Sequence, residues 1–260
     1  VDDRGFLDGA EHRRDVMATV WNHYQHVPAD DPAATAREPH RCLLRPLFVT
    51  AFLIDDFVAD HDDFGADTLV ISSASAKTAV ATAHRAAARG SQRVVGLTSG
   101  HHAAFVAGLG VYDDVLTYDQ AGEVPGDRAV FVDIAGHVGA RDAVHARFGD
   151  ALAHSMTVGL ATIPDQARLL APPPETGPAP EVFYAQLQVA KRAKEWGQAA
   201  FDEQLDAAWD RYLTFADTWL QLERGRGADA VEAAWQELLA GGTDPAAGHD
   251  LGMWPDGDGR

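Results

Sequence analysis

The apolar positions of this chain fall in short runs separated by longer periodic stretches. Between Thr68 and Ser99 the sequence reads TLVISSASAKTAVATAHRAAARGSQRVVGLTS. A β-branched apolar run at Thr68–Ser72 is followed by a turn of small residues, an alanine-rich stretch closed by Gly90, and a second apolar run at Arg93–Thr98. So short an apolar run does not by itself separate strand from helix; the β-branched content and the flanking turn residues favour strands. A helix over Thr78–Arg89 places Ala79, Ala83, Ala86 and Ala87 on one face, small enough to lie close on a sheet. Strand, small-residue turn, helix, strand is the opening βαβ unit of a nucleotide-binding sheet.

The alternation continues downstream. The pattern predicts a helix at His102–Leu109 ending at Gly110, a third strand at Asp114–Tyr118, a fourth at Ala129–Ile134 closed by Gly136, a helix near Ala140–Phe148 and a fifth strand at Ser155–Leu160. Such spacing specifies an α/β fold, a doubly wound parallel Rossmann-type sheet. Right-handed crossovers then give a strand order of roughly 3-2-1-4-5, with the first strand central. Upstream, Pro46 starts a helix that Leu47, Thr50, Ala51, Ile54 and Phe57 carry down to Val58. Downstream, Pro172–Pro180 forms a stiff linker and VFYAQLQVAKRAKEWG opens a helical part. Phe201, Leu205, Ala208, Tyr212, Phe215, Trp219 and Leu222 make one stripe of a long amphipathic helix, and Asp229–Leu239 a shorter one. Residues 1–45 hold Pro28, Pro32, Pro39 and one aromatic patch containing Trp21, Asn22 and Tyr24, too little for a core of their own. The expected division is 1–45, the sheet domain at 46–165, linker and helices at 166–240, and a flexible tail at 241–260.

Composition narrows the function. The chain has 260 residues, 46% hydrophobic, with 21 basic and 39 acidic side chains for a formal charge of -18. Nucleic acid and anionic membranes are poor partners for such a chain, because phosphate binding needs clustered Lys and Arg. No apolar run approaches the roughly eighteen residues of a membrane-spanning helix, and the opening VDDRGFLDGAEHRR is polar throughout, unlike a secretory signal. Cys42 is the single cysteine, which fits a reducing cytoplasm; beside LLRPLF it reads as a small buried hydrophobe rather than a nucleophile.

Ligands of such sheets bind beyond the carboxyl ends of the strands. That rule selects Ser73, Ser75, Ala76, Lys77 and Thr78 after the first strand, Thr98, Ser99 and His101 after the second, and Tyr118 after the third. Ala135 and Gly136 follow the fourth, and Gly159 lies at the end of the fifth. The first turn, SSASAKTA, puts Ser and Ala where a dinucleotide fold has G-x-G-x-x-G. Its hydroxyls add donors to the helix N-terminal amides, and Lys77 is placed to meet a phosphate. The second exit, Thr98–His102, contains no acid to bond the ribose hydroxyls of NAD, so the cofactor expected is NADP(H). A rival reading takes Lys77-Thr78 as a P-loop ending with VFVDIAG supplying a metal-binding aspartate, but Ile71 and Ala76 stand where that loop needs glycine. Five aspartates and His61 between Asp55 and Asp63 superficially resemble a hard-cation site. With no second carboxylate cluster to complete a coordination sphere, a solvated helix end is the better reading, and no metal is expected. Tyr-x-x-x-Lys and G-x-S-x-G are both absent, which sets aside short-chain dehydrogenases and elbow hydrolases.

SASAKTA, VVGLTS, LGVYDDVLTYD and VFVDIAG, in this order and spacing, resemble the nucleotide-binding half of the medium-chain dehydrogenase/reductase superfamily, nearest to its zinc-free quinone oxidoreductase and enoyl reductase branches. More closely, RPLFVTAFLIDDF, SASAKTA, VDIAG, VHARFGDAL and VFYAQLQVAKRAKEWG resemble an uncharacterised family known only as a domain of unknown function, over roughly Trp21 to Trp196. The resemblance implies that Trp21–Pro46 is the end of a GroES-like substrate domain. It also implies that Ser99 and Tyr118 hold the 2′-phosphate of NADP(H). The missing glycine fingerprint, and the absence of visible Cys and His zinc ligands, depart from the wider superfamily's pattern.

The function expected is a zinc-independent, NADP(H)-dependent oxidoreductase that reduces an activated C=C or C=O bond of a small-molecule substrate, as a cytoplasmic homodimer. Tyr24, Tyr184 and His137 are the candidate proton donors. The alternatives are a non-redox protein that keeps the fold to bind a nucleotide or acyl ligand, and a P-loop-like nucleotide hydrolase.

Overall fold

The computed structural model describes residues 5–8, 23–27, 30–159 and 172–254. The chain divides into two compact units, Val1–Cys42 and Leu43–Arg260. In the first, β1 (Gly5–Leu7) pairs antiparallel with β2 (His23–Gln25), and Phe6 stacks on Tyr24 with ring centroids 4.7 Å apart. Trp21 and Asn22 of the expected aromatic patch lie outside the described residues.

Helix α1 runs over Pro32–Asp60, starting fourteen residues before the expected Pro46 (46 minus 32). The start signal lies upstream: the Asp31 carboxylate accepts from the amides of Ala33 and Ala34 at 2.9 and 3.0 Å, and Pro32 takes the first helical position, where a missing N–H is no loss. Cys42 is exposed on this helix, not buried as its apolar neighbours suggested.

The second unit is built on a six-stranded parallel sheet, with β3 (Thr68–Ile71), β4 (Arg93–Thr98), β5 (Asp114–Thr117), β6 (Ala129–Asp133), β7 (Leu152–Thr157) and β8 (Glu181–Val182) in the order β5-β4-β3-β6-β7-β8. The central position of the first sheet strand and the neighbours of all five expected strands are as the sequence pattern specifies. The last expected strand begins three residues earlier, at Leu152, and β8 joins it where a helix was expected to begin directly. Strand residues alternate between two cores. Leu69 and Ile71 pack with Ile54 and Val58 of α1 and with α2 (Lys77–Arg89). Val70, Val95, Leu97 and Phe131 face α4 (Val138–Phe148) through Ala140, Val144 and Phe148. Ala79, Ala83 and Ala86 of α2 are buried as expected, while Ala87 is exposed. Gly90 closes α2 in the left-handed conformation, its N–H bonded to Ala86 O. A short α3 (Ala103–Gly108) links β4 to β5.

Between α1 and β3 the chain makes a left-handed turn. Asp62, Asp63, Phe64 and Gly65 have φ of 51°, 54°, 55° and 62°. Side chains of the L form are strained there, and the surroundings hold the turn from several sides. Arg89 pairs with the Asp63 carboxylate, Gln92 and Arg128 donate to the carbonyls of Asp63 and Phe64, and the Phe64 ring is stacked between His61 and His154 at 4.9 and 4.5 Å.

Four of the five aspartates of this region are paired with cations, Asp63 with Arg89 as above. Asp55 pairs with Arg85 and Arg89, Asp56 with Arg192, and Asp60 with Lys191 and Arg192. Helix α5 (Ala185–Trp196) supplies Lys191 and Arg192, and so is tied to α1 through charge. Among the described residues no three His, Cys, Asp or Glu side chains converge on a metal position.

Helix α6 (Gln198–Ala216) packs Phe201, Leu205, Ala208, Trp209 and Tyr212 against Leu44, Phe48 and Phe52 of α1. The expected stripe ends early: Trp219 lies past the helix, and Leu222 lies in β9 (Gln221–Arg226). Instead of a flexible tail from Gly241, the chain after α7 (Ala228–Ala240) forms β10 (Ala247–Gly252), parallel to β9. Gly248 permits that pairing; a Cβ on it would come 2.5 Å from Leu43 Cδ2. No helix among the described residues is long and apolar enough to cross a membrane.

Candidate functional site

The carboxyl ends of β3 and β6 are tied together by a buried network. Ser72 Oγ donates to Asp133 Oδ1 at 2.6 Å and accepts from Ile134 N at 3.0 Å, while Gly136 N donates to Asp133 Oδ1 at 3.0 Å. Gly136 has φ of 73°, so the Ile134–Gly136 turn needs the residue that adopts this without a Cβ penalty. On the other side of Ile134, a Cβ on Gly159 would come 2.9 Å from the Ile134 carbonyl oxygen. Glycine at 159 therefore lets the exit of β7 close on that of β6. Leu160, the last residue of the expected fifth strand, lies outside the described residues.

The first turn makes its bend without glycine. Ser73 takes φ of 51°, the conformation a fingerprint glycine usually supplies. Ala74 behind it is buried, its N–H bonded to Leu97 O at 3.0 Å and its carbonyl accepting from Tyr112 Oη at 2.9 Å. The absent side chain is on the neighbouring strand: a Cβ on Gly96 would lie 2.9 Å from both Ala74 Cβ and Tyr112 Cδ1. Gly96 and Tyr112 are thus two residues that shape the turn and that strand-exit reasoning missed. VVGLTS carries the signal, a glycine inside an otherwise apolar strand.

Helix α2 starts at this turn with Ala76 as N-cap and no side chain capping it, so its first amides are left for a ligand or water. Ser75 Oγ and His102 Nδ1 are 3.1 Å apart, and Lys77 Nζ donates to Pro245 O at 3.3 Å. Burial lowers the Lys77 pKa, against the opposing charge of Asp244; burial and the charge of His101 lower that of His102. Thr98, at the end of β4, is buried with its Oγ1 unpartnered. Ser99 accepts the His102 amide through its carbonyl at 3.0 Å, and the His101 ring lies 5.1 Å from that of His102.

Across the mouth, Ser73 Oγ meets Tyr118 Oη at 3.2 Å, and Tyr118 stacks on His137 with centroids 4.0 Å apart and planes 19° apart. His137 is the N-cap of α4, its Nδ1 accepting from Ala140 N at 3.0 Å. That bond leaves Nε2 as the protonated nitrogen of the neutral ring. The structure so brings together Ser73, Tyr118 and His137 at one point and Ser75, Lys77 and His102 at another. It does not bring Tyr184 there. Tyr184 is 59% exposed after β8, at the opposite edge of the sheet from β5 and Tyr118, and Tyr24 belongs to the first unit, stacked on Phe6.

A parallel sheet in the order β5-β4-β3-β6-β7-β8, with its first strand inside it and helices on both faces, defines a Rossmann-type α/β protein. The chain belongs to the family described as protein of unknown function DUF2855, whose profile matches residues 1–244. No curated protein matches the chain. Among solved structures it is similar to a candidate NADPH:quinone reductase from Mesorhizobium loti, at 14% identity and a TM-score of 0.53 over 89% of this chain and 63% of that one. The complex of Etr1p with NADP and crotonyl-CoA is similar at 12% identity and a TM-score of 0.51, over 84% of this chain and 64% of that one. These likenesses are ones of fold, and this chain spans less than two thirds of the length of either protein.

Proposed function

We propose that this chain carries the nucleotide-binding part of a zinc-independent oxidoreductase that takes NADP(H) and reduces an activated C=C or C=O bond of a small organic substrate. The observation that carries the reading is the first turn: a left-handed Ser73 followed by Ala74 packed over Gly96, leading into an uncapped α2 that begins at Lys77. The α2 amides, Ser75 and Lys77 would hold the pyrophosphate. Ser99 and Tyr118 would take the 2′-phosphate, with Ser73 and His137 fixing the Tyr118 ring. Thr98, His101, Ala135, Gly136 and Gly159 complete the walls on which the nucleotide would lie. The residues present suit such a group: hydroxyls and imidazoles surround the exit of β4, and Thr98 has a buried hydroxyl without a partner. The nucleotide supplies the hydride when bound; the chain's own part is to bind, orient and exclude water. His137, whose Nε2 carries a proton, is the donor candidate that sits with the other site residues.

Calorimetric titration of the protein with NADPH, NADH and ATP with magnesium tests this. NADPH should bind about tenfold more tightly than NADH, the equivalent of one well-made contact to the extra phosphate. NADH binding as well as NADPH would sink the 2′-phosphate assignment, and a response to ATP with magnesium alone would return the P-loop reading.

The same proposal includes a homodimer. Strand β8 is a sheet edge, and the residues around it, Val182, Tyr184 and Leu187, are 58%, 59% and 70% exposed. Unpaired strand edges flanked by apolar side chains favour association. Light scattering should give twice the chain mass for the protein and a shift toward the monomer for Leu187→Glu.

A further inference from the structure

The connection between α7 and β10 crosses the first turn. Asp244 organises it: the side-chain Oδ1 accepts from Ala246 N at 2.8 Å and the main-chain carbonyl accepts from Ala247 N at 2.9 Å. An Asx turn of this kind is self-supporting, and it presents the Pro245 carbonyl to Lys77 Nζ. Ala246 and Ala247 are buried, Asp244 is exposed, and the buried Thr243 Oγ1 has no partner. The Asp244 charge also acts on both Lys77 and His102, the two cationic-capable groups beside the turn.

These atoms are of the wrong kind to accompany a phosphate. Pro245 has no N–H to give, its carbonyl is an acceptor, and Asp244 is an anion. A phosphate oxygen arriving at Lys77 would therefore meet an acceptor and a like charge. The ammonium, in turn, gains more from an anionic oxygen than from a neutral carbonyl, because charge-assisted bonds are roughly twice as strong. Resting on the reading that this turn takes a dinucleotide, we propose that Thr243–Ala246 is a strap that occupies Lys77 in the free protein and is displaced when the nucleotide's phosphates take the ammonium over. The strap makes the first turn self-occupied, and it links nucleotide binding to the start of β10.

Hydrogen–deuterium exchange over residues 242–248 of the full chain, with and without saturating NADPH, tests the strap. Tryptophan fluorescence follows binding separately. Exchange there should rise by about threefold or more on binding, as for a segment released from its local contacts. Asp244→Ala should tighten NADPH by about threefold through loss of the like charge and of the turn's support. Asp244→Asn keeps an acceptor for Ala246 N and should tighten it in the same direction. NADPH binding with unchanged or slower exchange at 242–248 would overturn the strap while leaving the cofactor reading intact, as would weaker NADPH binding by a folded Asp244→Asn protein. Binding by the Asp244 variants but not by the unaltered protein would support a strap strong enough to keep the turn closed. Binding by none of them would overturn the dinucleotide reading and the strap together.

Discussion

Gly96 lies directly beneath Ala74, close enough that a single added Cβ would stand 2.9 Å from the Ala74 methyl. The bend of the first turn is therefore set from the adjacent strand. Gly96→Ala should move Ala74 and Tyr112, destabilise the fold by about 1–3 kcal/mol as overpacking does, and weaken NADPH by about tenfold or more through misplacement of the turn. Urea denaturation and nucleotide titration on the same variant check both parts.

Tyr118 contributes a hydroxyl to Ser73 and a ring face to His137. Tyr118→Phe keeps the stack and loses the hydroxyl. NADPH affinity should fall by about three- to tenfold, the worth of one hydrogen bond, with NADH affinity unaltered. Equal losses for both nucleotides would show that the hydroxyl serves the turn rather than the 2′-phosphate.

Stability should fall as the solution is acidified. His145 is buried, its Nδ1 donating to Thr176 O and its Nε2 accepting from Ser155 Oγ, both at 2.9 Å. Burial lowers the pKa of His145 and His154, and that of His84 to about 4, aided by Arg85 and Arg211. Unfolding returns these rings to an ordinary value near 6.5. Below that pH the unfolded chain binds more protons than the folded one, so stability is fully present above it and is lost as pH falls toward the folded values. The urea midpoint should be lower at about pH 5 than at about pH 7.5, and the difference should shrink in His84→Gln.

The acidic run before β3 should be indifferent to divalent cations. Four of its five carboxylates, those of Asp55, Asp56, Asp60 and Asp63, already face Arg85, Arg89, Lys191 and Arg192. Calcium or magnesium should leave the melting temperature unchanged. Asp56→Asn, which removes the charge of the carboxylate whose Oδ2 accepts from both Arg192 Nε and Gln188 Nε2, should destabilise by about 1–3 kcal/mol. A cation-dependent rise in melting temperature that Asp56→Asn abolishes would reverse this assignment.

The sheet was legible because β3, β4 and β6 are β-branched apolar runs punctuated by small residues, and the parallel crossover leaves few orders open. Elements outside that grammar were less so. Strand β8 is two residues long and both are exposed, so no periodicity marks it. Strand β10 reads AGHDLG, with a glycine at each close approach in place of an apolar run. Helix α1 hides its start because Pro39 and Pro46 lie within it, and the capping signal at Asp31–Pro32 precedes a stretch with little amphipathic pattern. Within the candidate site, positional reasoning picked Ser73, Lys77 and Tyr118 as strand-exit residues, while His137 entered only as a candidate proton donor. Gly96, Tyr112 and Pro245 were missed, because they act on the turn from elements far away in the chain.

The left-handed turn at Asp62–Gly65 also has a practical consequence for anyone wishing to harden this protein. Its three non-glycine residues each carry roughly 1–2 kcal/mol of backbone strain, and the His61–Phe64–His154 stack and the Asp63–Arg89 pair make two of them hard to replace. Asp62 has no such duty. Asp62→Gly should raise the melting temperature by a few degrees, corresponding to about 0.5–1 kcal/mol after the added freedom of the unfolded chain is counted, which makes this junction a starting point for thermostable variants that leave the turn between β3 and α2 untouched.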